Sequence, residues 1–92
     1  MPHKLTQLKV SIKELLVSDL EKALYSLKEN LRPDCAAFDE IIISLERTNR
    51  INKALQKGLI PFHDADILLN QIVNSVVFTI NNLKESDLLM DG

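Results

Sequence analysis

Hydrophobic residues recur along this chain at the three- and four-residue spacing of amphipathic helices. The first such segment spans about residues 6–17, and the second spans residues 19–32. The second must end before Pro33, because the residue preceding a proline is pushed out of the α-helical region. Ser18 and Glu21 have the spacing of a capping box, in which each side chain accepts from the other residue's backbone N–H. The sequence therefore predicts two short helices joined almost directly.

Two longer helices follow. Asp34 is predicted to cap a helix that runs to Lys57, where Gly58 occupies the position of a left-handed C-terminal cap. Pro61 is suited to the first turn of a fourth helix, which extends to about Lys84. The connection is so short that the two long helices must form an antiparallel hairpin. The expected fold is all-α: a four-helix bundle with two short N-terminal helices packed on a long antiparallel helical hairpin.

A helical projection places most apolar residues of the long helices in the seam of this hairpin, Leu59 and Phe62 among them. Asn49 and Asn52 also fall within that seam. Two interpretations remain open. The amides either reach water at the edge of the seam or bond across the hairpin, to Asn70 or Asn74. In the second case they would determine helix register at some cost in stability.

Other large side chains on the long helices point away from the predicted seam. The two short helices should cover some of them, and an apolar patch containing arginine would remain, which suits a protein partner. We expect the interaction surface to consist of Ile43, Arg47, Ile51, Ile67 and Phe78.

Composition excludes several classes of protein. The 92 residues carry a formal charge of −2 and only 4% aromatics, so neither a basic groove nor a base-stacking surface for nucleic acid is expected. Two glycines and three prolines supply too few turns for an all-β fold. No apolar stretch is long enough for a membrane span. Cys35 is the only cysteine, which rules out an intrachain disulfide and favours a cytoplasmic protein.

Candidate catalytic chemistry is sparse. Cys35 and His63 would be the only nucleophile and base pair, and no group that could orient the base is evident. His63, Asp64 and Asp66 are close in sequence, but neighbouring helical positions point in different directions and no second cluster completes a metal site. We expect no enzyme activity, no metal or other cofactor, and no small-molecule substrate.

Residues 85–92 are acidic and aperiodic. They are expected to be a tail or the start of a linker to a further domain, so that residues 1–84 form the helical domain.

Several runs in the chain resemble one protein family. The run from Asp39 to Arg50, the Lys57–Ile60 turn and the segment 70–72 resemble the effector-associated domains of bacterial conflict systems, most closely type eleven. Ser44, Arg47, Asn49 and Arg50 match that family's Ser-x-x-Arg-x-Asn-Arg signature, and the resemblance covers about residues 12–83. The chain departs from the family pattern at Thr48, Pro61 and Gln71.

The resemblance implies an adaptor that pairs with a like domain, couples a sensor to an effector such as a peptidase or a TIR domain, and serves antiviral defence signalling. Its partner would be another chain or a second copy of itself. Three alternatives stay open. The first is a free-standing, antitoxin-like regulator that masks one protein partner; a reading frame that continues into an effector domain would favour the adaptor. The second is a small enzyme that uses Cys35 or His63, and the third is a coiled-coil-like dimer with a purely structural role.

Overall fold

The computed structural model describes residues 4–89, and these residues form an all-α fold, as the sequence predicts. Four α-helices follow one another along the chain, and a single turn of 3-10 helix follows the last. The bounds are α1 (Lys4–Ser18), α2 (Leu20–Asn30), α3 (Ala36–Gln56), α4 (Phe62–Asn81) and the turn Glu85–Asp87. Within residues 4–89, no helix combines the length and the hydropathy needed to cross a membrane.

The start of α2 differs from the prediction by one residue, and the predicted capping box is wrong. Ser18 is the last residue of α1, and its hydroxyl donates to the Leu15 carbonyl at 3.4 Å. Asp19 is the N-cap instead, with an extended backbone and a carboxylate that accepts from the Lys22 N–H at 3.1 Å. Because α1 continues through Ser18, only Asp19 is left to separate the two helices. Glu21 is then free to contact another helix.

The start of α3 also differs from the prediction. Its N-cap is Cys35, which makes no side-chain capping bond, and not Asp34. The Asp34 carboxylate instead pairs with the Arg32 guanidinium at 3.3 Å, in the turn between α2 and α3.

The prediction at the end of α3 is confirmed. Gly58 has a φ of +70°, the left-handed conformation that glycine adopts without strain. The Gly58 N–H donates to the Leu55 carbonyl at 3.1 Å, and the Leu59 N–H donates to the Ala54 carbonyl at 2.8 Å. These two bonds define a Schellman motif, which turns the chain toward α4.

The helices contact one another in sequence order around a shared core. The contacts between α3 and α4 are the most extensive, those of α2 with α1 and α3 come next, and α1 also contacts α4. The Lys13 ammonium donates to the Asn81 side chain at 2.7 Å and links α1 to α4. All four helices contribute fully buried aliphatic side chains, among them Ile12, Leu24, Leu27, Ile41, Ile72, Val76 and Ile80.

Two small polar residues of α3 are buried in this core. Ser44 and Thr48 are 7% and 1% exposed. Helical periodicity places both on the side of α3 that carries Ile51, which lines a groove with Leu68 of α4. The Thr48 hydroxyl has no hydrogen-bond partner among the described residues. The side of α3 next to α4 therefore contains two buried polar residues.

The segment after α4 is not an aperiodic tail up to residue 89. Leu88 is 4% exposed and forms an isolated antiparallel bridge with Leu31 at the end of α2. The Arg32 N–H donates to the Asp87 carbonyl at 2.8 Å, and the Leu89 N–H donates to the Asn30 carbonyl at 2.9 Å. Residues 85–89 are thus part of the helical domain. The rest of the predicted tail, residues 90–92, lies outside the described residues.

Candidate functional site

One exposed side of α3 carries charges that change sign along the helix. Asp39, Glu40, Ile43, Arg47 and Arg50 recur at helical spacing, and we call these five residues the α3 stripe. All five are exposed, and Ile43 retains 51% of its accessible surface. Asp39 and Glu40 lie toward the start of the helix, Ile43 lies in the middle, and the two arginines follow, with the exposed Glu46 beside them at the edge of the stripe.

A second exposed stripe runs along α4. Ile67, Gln71, Asn74 and Phe78 are spaced by four, three and four residues, and we call them the α4 stripe. Ile67 is 46% exposed and Phe78 is 71% exposed. The two ends of the α4 stripe are therefore apolar, and Gln71 and Asn74 place two amides in its middle.

Two grooves between α3 and α4 lie beside these stripes. The acidic-end groove is lined by Ala36 and Glu40 from α3, by Ser75 and Phe78 from α4, and by Lys84 and Asp87 from the segment that follows α4, among others. The basic-end groove is lined by Arg47, Arg50, Ile51 and Ala54 from α3, by Leu68 from α4 and by Ile60 from the turn. Glu40 of the α3 stripe and Phe78 of the α4 stripe line the same groove, so the two stripes belong to one face of the molecule, which we call the α3–α4 face.

The α3–α4 face contains four of the five residues that the sequence placed on an interaction surface: Ile43, Arg47, Ile67 and Phe78. The fifth, Ile51, is half-buried and packs against the core while lining the basic-end groove. For Leu59 and Phe62 the prediction is wrong in the other direction, because residues expected in the seam are exposed. The projection placed them in the seam, but they are 71% and 75% exposed at the turn between α3 and α4.

Of the two interpretations left open for Asn49 and Asn52, the bond across the hairpin is wrong. Both residues lie in a cleft shared with Glu21 of α2, and the Asn52 amide donates to the Glu21 carboxylate at 3.4 Å. Asn70 and Asn74 are exposed on α4. Asn52 therefore links α3 to α2, because the side of α3 that carries it faces the second helix and not the fourth.

The structure separates the residues of the candidate nucleophile and base pair. Cys35 precedes α3, whereas His63 follows the turn at the far end of the same helix. A helix of 21 residues is about 31 Å long, which is far beyond hydrogen-bonding distance. His63, Asp64 and Asp66 do not form a metal-binding group, and no cluster of three or more His, Cys, Asp or Glu side chains occurs within residues 4–89.

Sequence reasoning missed part of this face. It did not include Asp39, Glu40 or Arg50, although their three- and four-residue spacing from Ile43 and Arg47 was available as a signal. Leu68 was also missed, since its contribution to the basic-end groove depends on how α4 is rotated against α3.

Comparison with known proteins identifies one family. A family model described as effector-associated domain 11 matches residues 7–84, which is most of the chain. No curated protein and no solved structure matches this chain.

Proposed function

The chain belongs to the effector-associated domain 11 family, and on that premise we propose that it is a non-enzymatic adaptor domain of bacterial defence signalling. It associates with a like domain and thereby couples a sensor to an effector. Its site of action is the cytoplasm, in keeping with its single cysteine.

The observation that carries this proposal is the composition of the α3–α4 face. Phe78 is 71% exposed, Ile43 and Ile67 are about half exposed, and arginines lie beside them. Protein interfaces are enriched in aromatic residues, which bury a large apolar surface, and in arginine, which also forms hydrogen bonds. A face of this composition supports association with another protein.

Adaptor function requires only binding. Association of two domains raises the effective concentration of whatever is attached to each of them, so an effector can be activated without any chemistry in the adaptor itself. The separation of Cys35 from His63 along the length of α3 supports this non-catalytic role.

The proposal is tested by the self-association of the 92-residue chain, measured by analytical ultracentrifugation over a range of concentrations. We expect a reversible increase in mass with concentration. Phe78→Ser should weaken this association at least about tenfold, because truncating an aromatic hot spot in an interface costs about 2 kcal/mol or more, and tenfold corresponds to about 1.4 kcal/mol. Tyr25→Ser is the matched control, since Tyr25 is a 48% exposed aromatic on α2, and it should have little effect.

Two outcomes would contradict the proposal. A wild-type chain that stays monomeric at high concentration would refute homotypic association. If that monomer instead bound one unlike protein tightly, the antitoxin-like regulator would be the better description. Equal effects of Phe78→Ser and Tyr25→Ser would remove the α3–α4 face from the proposal.

A further inference from the structure

The α3 stripe is complementary to itself when its direction is reversed. Asp39 and Glu40 lie before Ile43, and Arg47 and Arg50 lie after it. A second α3 in antiparallel orientation would therefore place Glu40 opposite Arg47 and Asp39 opposite Arg50. The centre of this arrangement lies between residues 43 and 45, next to Ile43.

Interactions within one chain explain only part of this order of charges. Glu40 and Arg47 are seven residues apart, or about 10 Å along the helix axis, and so do not pair with each other. None of the four charged side chains makes an ion pair or side-chain hydrogen bond within residues 4–89. The helix dipole acts mainly within the first and last turns. It favours Asp39, which lies in the first turn of α3, but not Arg47, which lies in the middle of the helix.

The α4 stripe is also complementary to itself when its direction is reversed. The midpoint between Ile67 and Phe78 is also the midpoint between Gln71 and Asn74. An antiparallel copy of α4 would place Phe78 opposite Ile67, and Gln71 opposite Asn74. The apolar side chains would then meet, and the amides could form hydrogen bonds with each other.

The two centres lie at nearly the same height on the α3–α4 face. Glu40 shares the acidic-end groove with Phe78, and Ile51 shares the basic-end groove with Leu68. By this register, the centre of the α3 stripe lies opposite about residues 74–75 of α4, and the centre of the α4 stripe lies between residues 72 and 73. The two centres agree within about two residues, or ~3 Å, so a single two-fold axis can serve both stripes.

We propose that the α3–α4 face binds a second copy of this chain across a two-fold axis, with α3 antiparallel to α3 and α4 antiparallel to α4. This inference rests on the proposed function and specifies the partner and the geometry. The axis brings the acidic-end groove of each copy against the basic-end groove of the other. The Phe78 ring then reaches the second copy's basic-end groove, which has a volume of about 430 Å³.

A two-fold interface repeats every contact, so one substitution changes two pairs of charges at once. Glu40→Arg places arginine opposite arginine twice, and Arg47→Glu places glutamate opposite glutamate twice. Each single variant should self-associate at least about tenfold more weakly than wild type, because like charges in an interface are strongly unfavourable. The matched controls are Glu29→Arg on α2 and Lys53→Glu on the side of α3 that faces Glu21; both should associate as wild type does.

The decisive experiment mixes the Glu40→Arg and Arg47→Glu variants. In a mixed dimer, the arginine introduced at position 40 of one chain faces the glutamate introduced at position 47 of the other. The unchanged Arg47 of the first chain faces the unchanged Glu40 of the second, so both attractive pairs return. We expect a 1:1 complex with twice the 10.4 kDa mass of the chain, measured by light scattering at a concentration at which each variant alone is mainly monomeric. Circular dichroism should show all variants folded, since all the substituted residues are exposed.

The outcomes separate this inference from the proposed function. If wild type associates and the mixed variants do not recover, the antiparallel pairing is wrong while homotypic association stands. Open-ended polymers in place of a closed dimer would likewise overturn the two-fold axis. A wild-type chain that never associates would overturn both proposals.

Discussion

Replacement of Leu88 by alanine tests whether the segment after α4 belongs to the folded domain. Leu88 lies beyond the residues that match the family model, yet it is 4% exposed and is bridged to Leu31, which is fully buried. Leu89 provides a matched control, because the neighbouring leucine is 40% exposed. The two substitutions remove the same atoms from adjacent positions in the chain.

The expected loss of stability follows from burial. Leucine-to-alanine changes in protein cores cost about 2–5 kcal/mol, through lost transfer free energy and the cavity left behind. Leu88 lies at the edge of the core on a short segment. Once the substitution costs more than the free energy with which this segment docks, the segment detaches, and the loss of stability is limited to that docking free energy. We therefore expect about 2–3 kcal/mol for Leu88→Ala, at the lower end of that range. Leu89→Ala should cost less than about 1 kcal/mol, as for most partly exposed positions.

Urea denaturation followed by circular dichroism measures both changes. Amide hydrogen exchange gives a second measure, because the Arg32 N–H donates to the Asp87 carbonyl and the Leu89 N–H donates to the Asn30 carbonyl. Both amides should lose protection in Leu88→Ala, since detachment of the segment breaks both bonds. Equal stability of the two variants, with unchanged exchange at both amides, would refute the packing of this segment.

Three further substitutions test local features of the fold by thermal denaturation. Thr48→Val should stabilise the protein by about 1–2 kcal/mol, because it removes a buried hydroxyl that has no partner among the described residues. The melting temperature should rise by about 4–8 °C for each kcal/mol gained. A lower melting temperature would show that the hydroxyl is bonded. Gly58→Ala should cost about 1–2 kcal/mol, for backbone strain alone, because no atom lies within 4 Å of the added Cβ; an unchanged melting temperature would contradict the φ of +70°. Asp19→Ala should cost about 1 kcal/mol through loss of the N-cap bond, while Ser18→Ala should cost little. A larger loss of stability for Ser18→Ala than for Asp19→Ala would support the capping box predicted from the sequence.

Most of the helical architecture could be predicted from the sequence because its signals are local. Apolar residues at three- and four-residue spacing define a helix whatever surrounds it, and Pro33 and Gly58 end helices through their own backbone preferences. The boundaries at Ser18 and Asp34 were each wrong by one residue. Asp19 can cap a helix as well as its neighbour Ser18, whereas Asp34 pairs with Arg32 and leaves Cys35 as an N-cap without a side-chain bond.

The candidate site could be predicted only in part. Helical periodicity alone identifies Ile43, Arg47, Ile67 and Phe78 as lying away from a seam. It does not show that Ile51 is half-buried or that Leu68 lines the basic-end groove, since both depend on the rotation of α3 and α4 against each other.

The sequence by itself determined which residues share a helix face; the tertiary structure decided what each face touches. Asn49 and Asn52 show the difference, because α3 has two neighbours and its amide side faces α2, while Thr48 is buried in the core. Leu88 shows it again, since a leucine in an aperiodic acidic segment carries no local signal for burial. The physical reason is that helix formation depends on hydrogen bonds between residues close in sequence, whereas packing depends on surfaces brought together from distant parts of the chain.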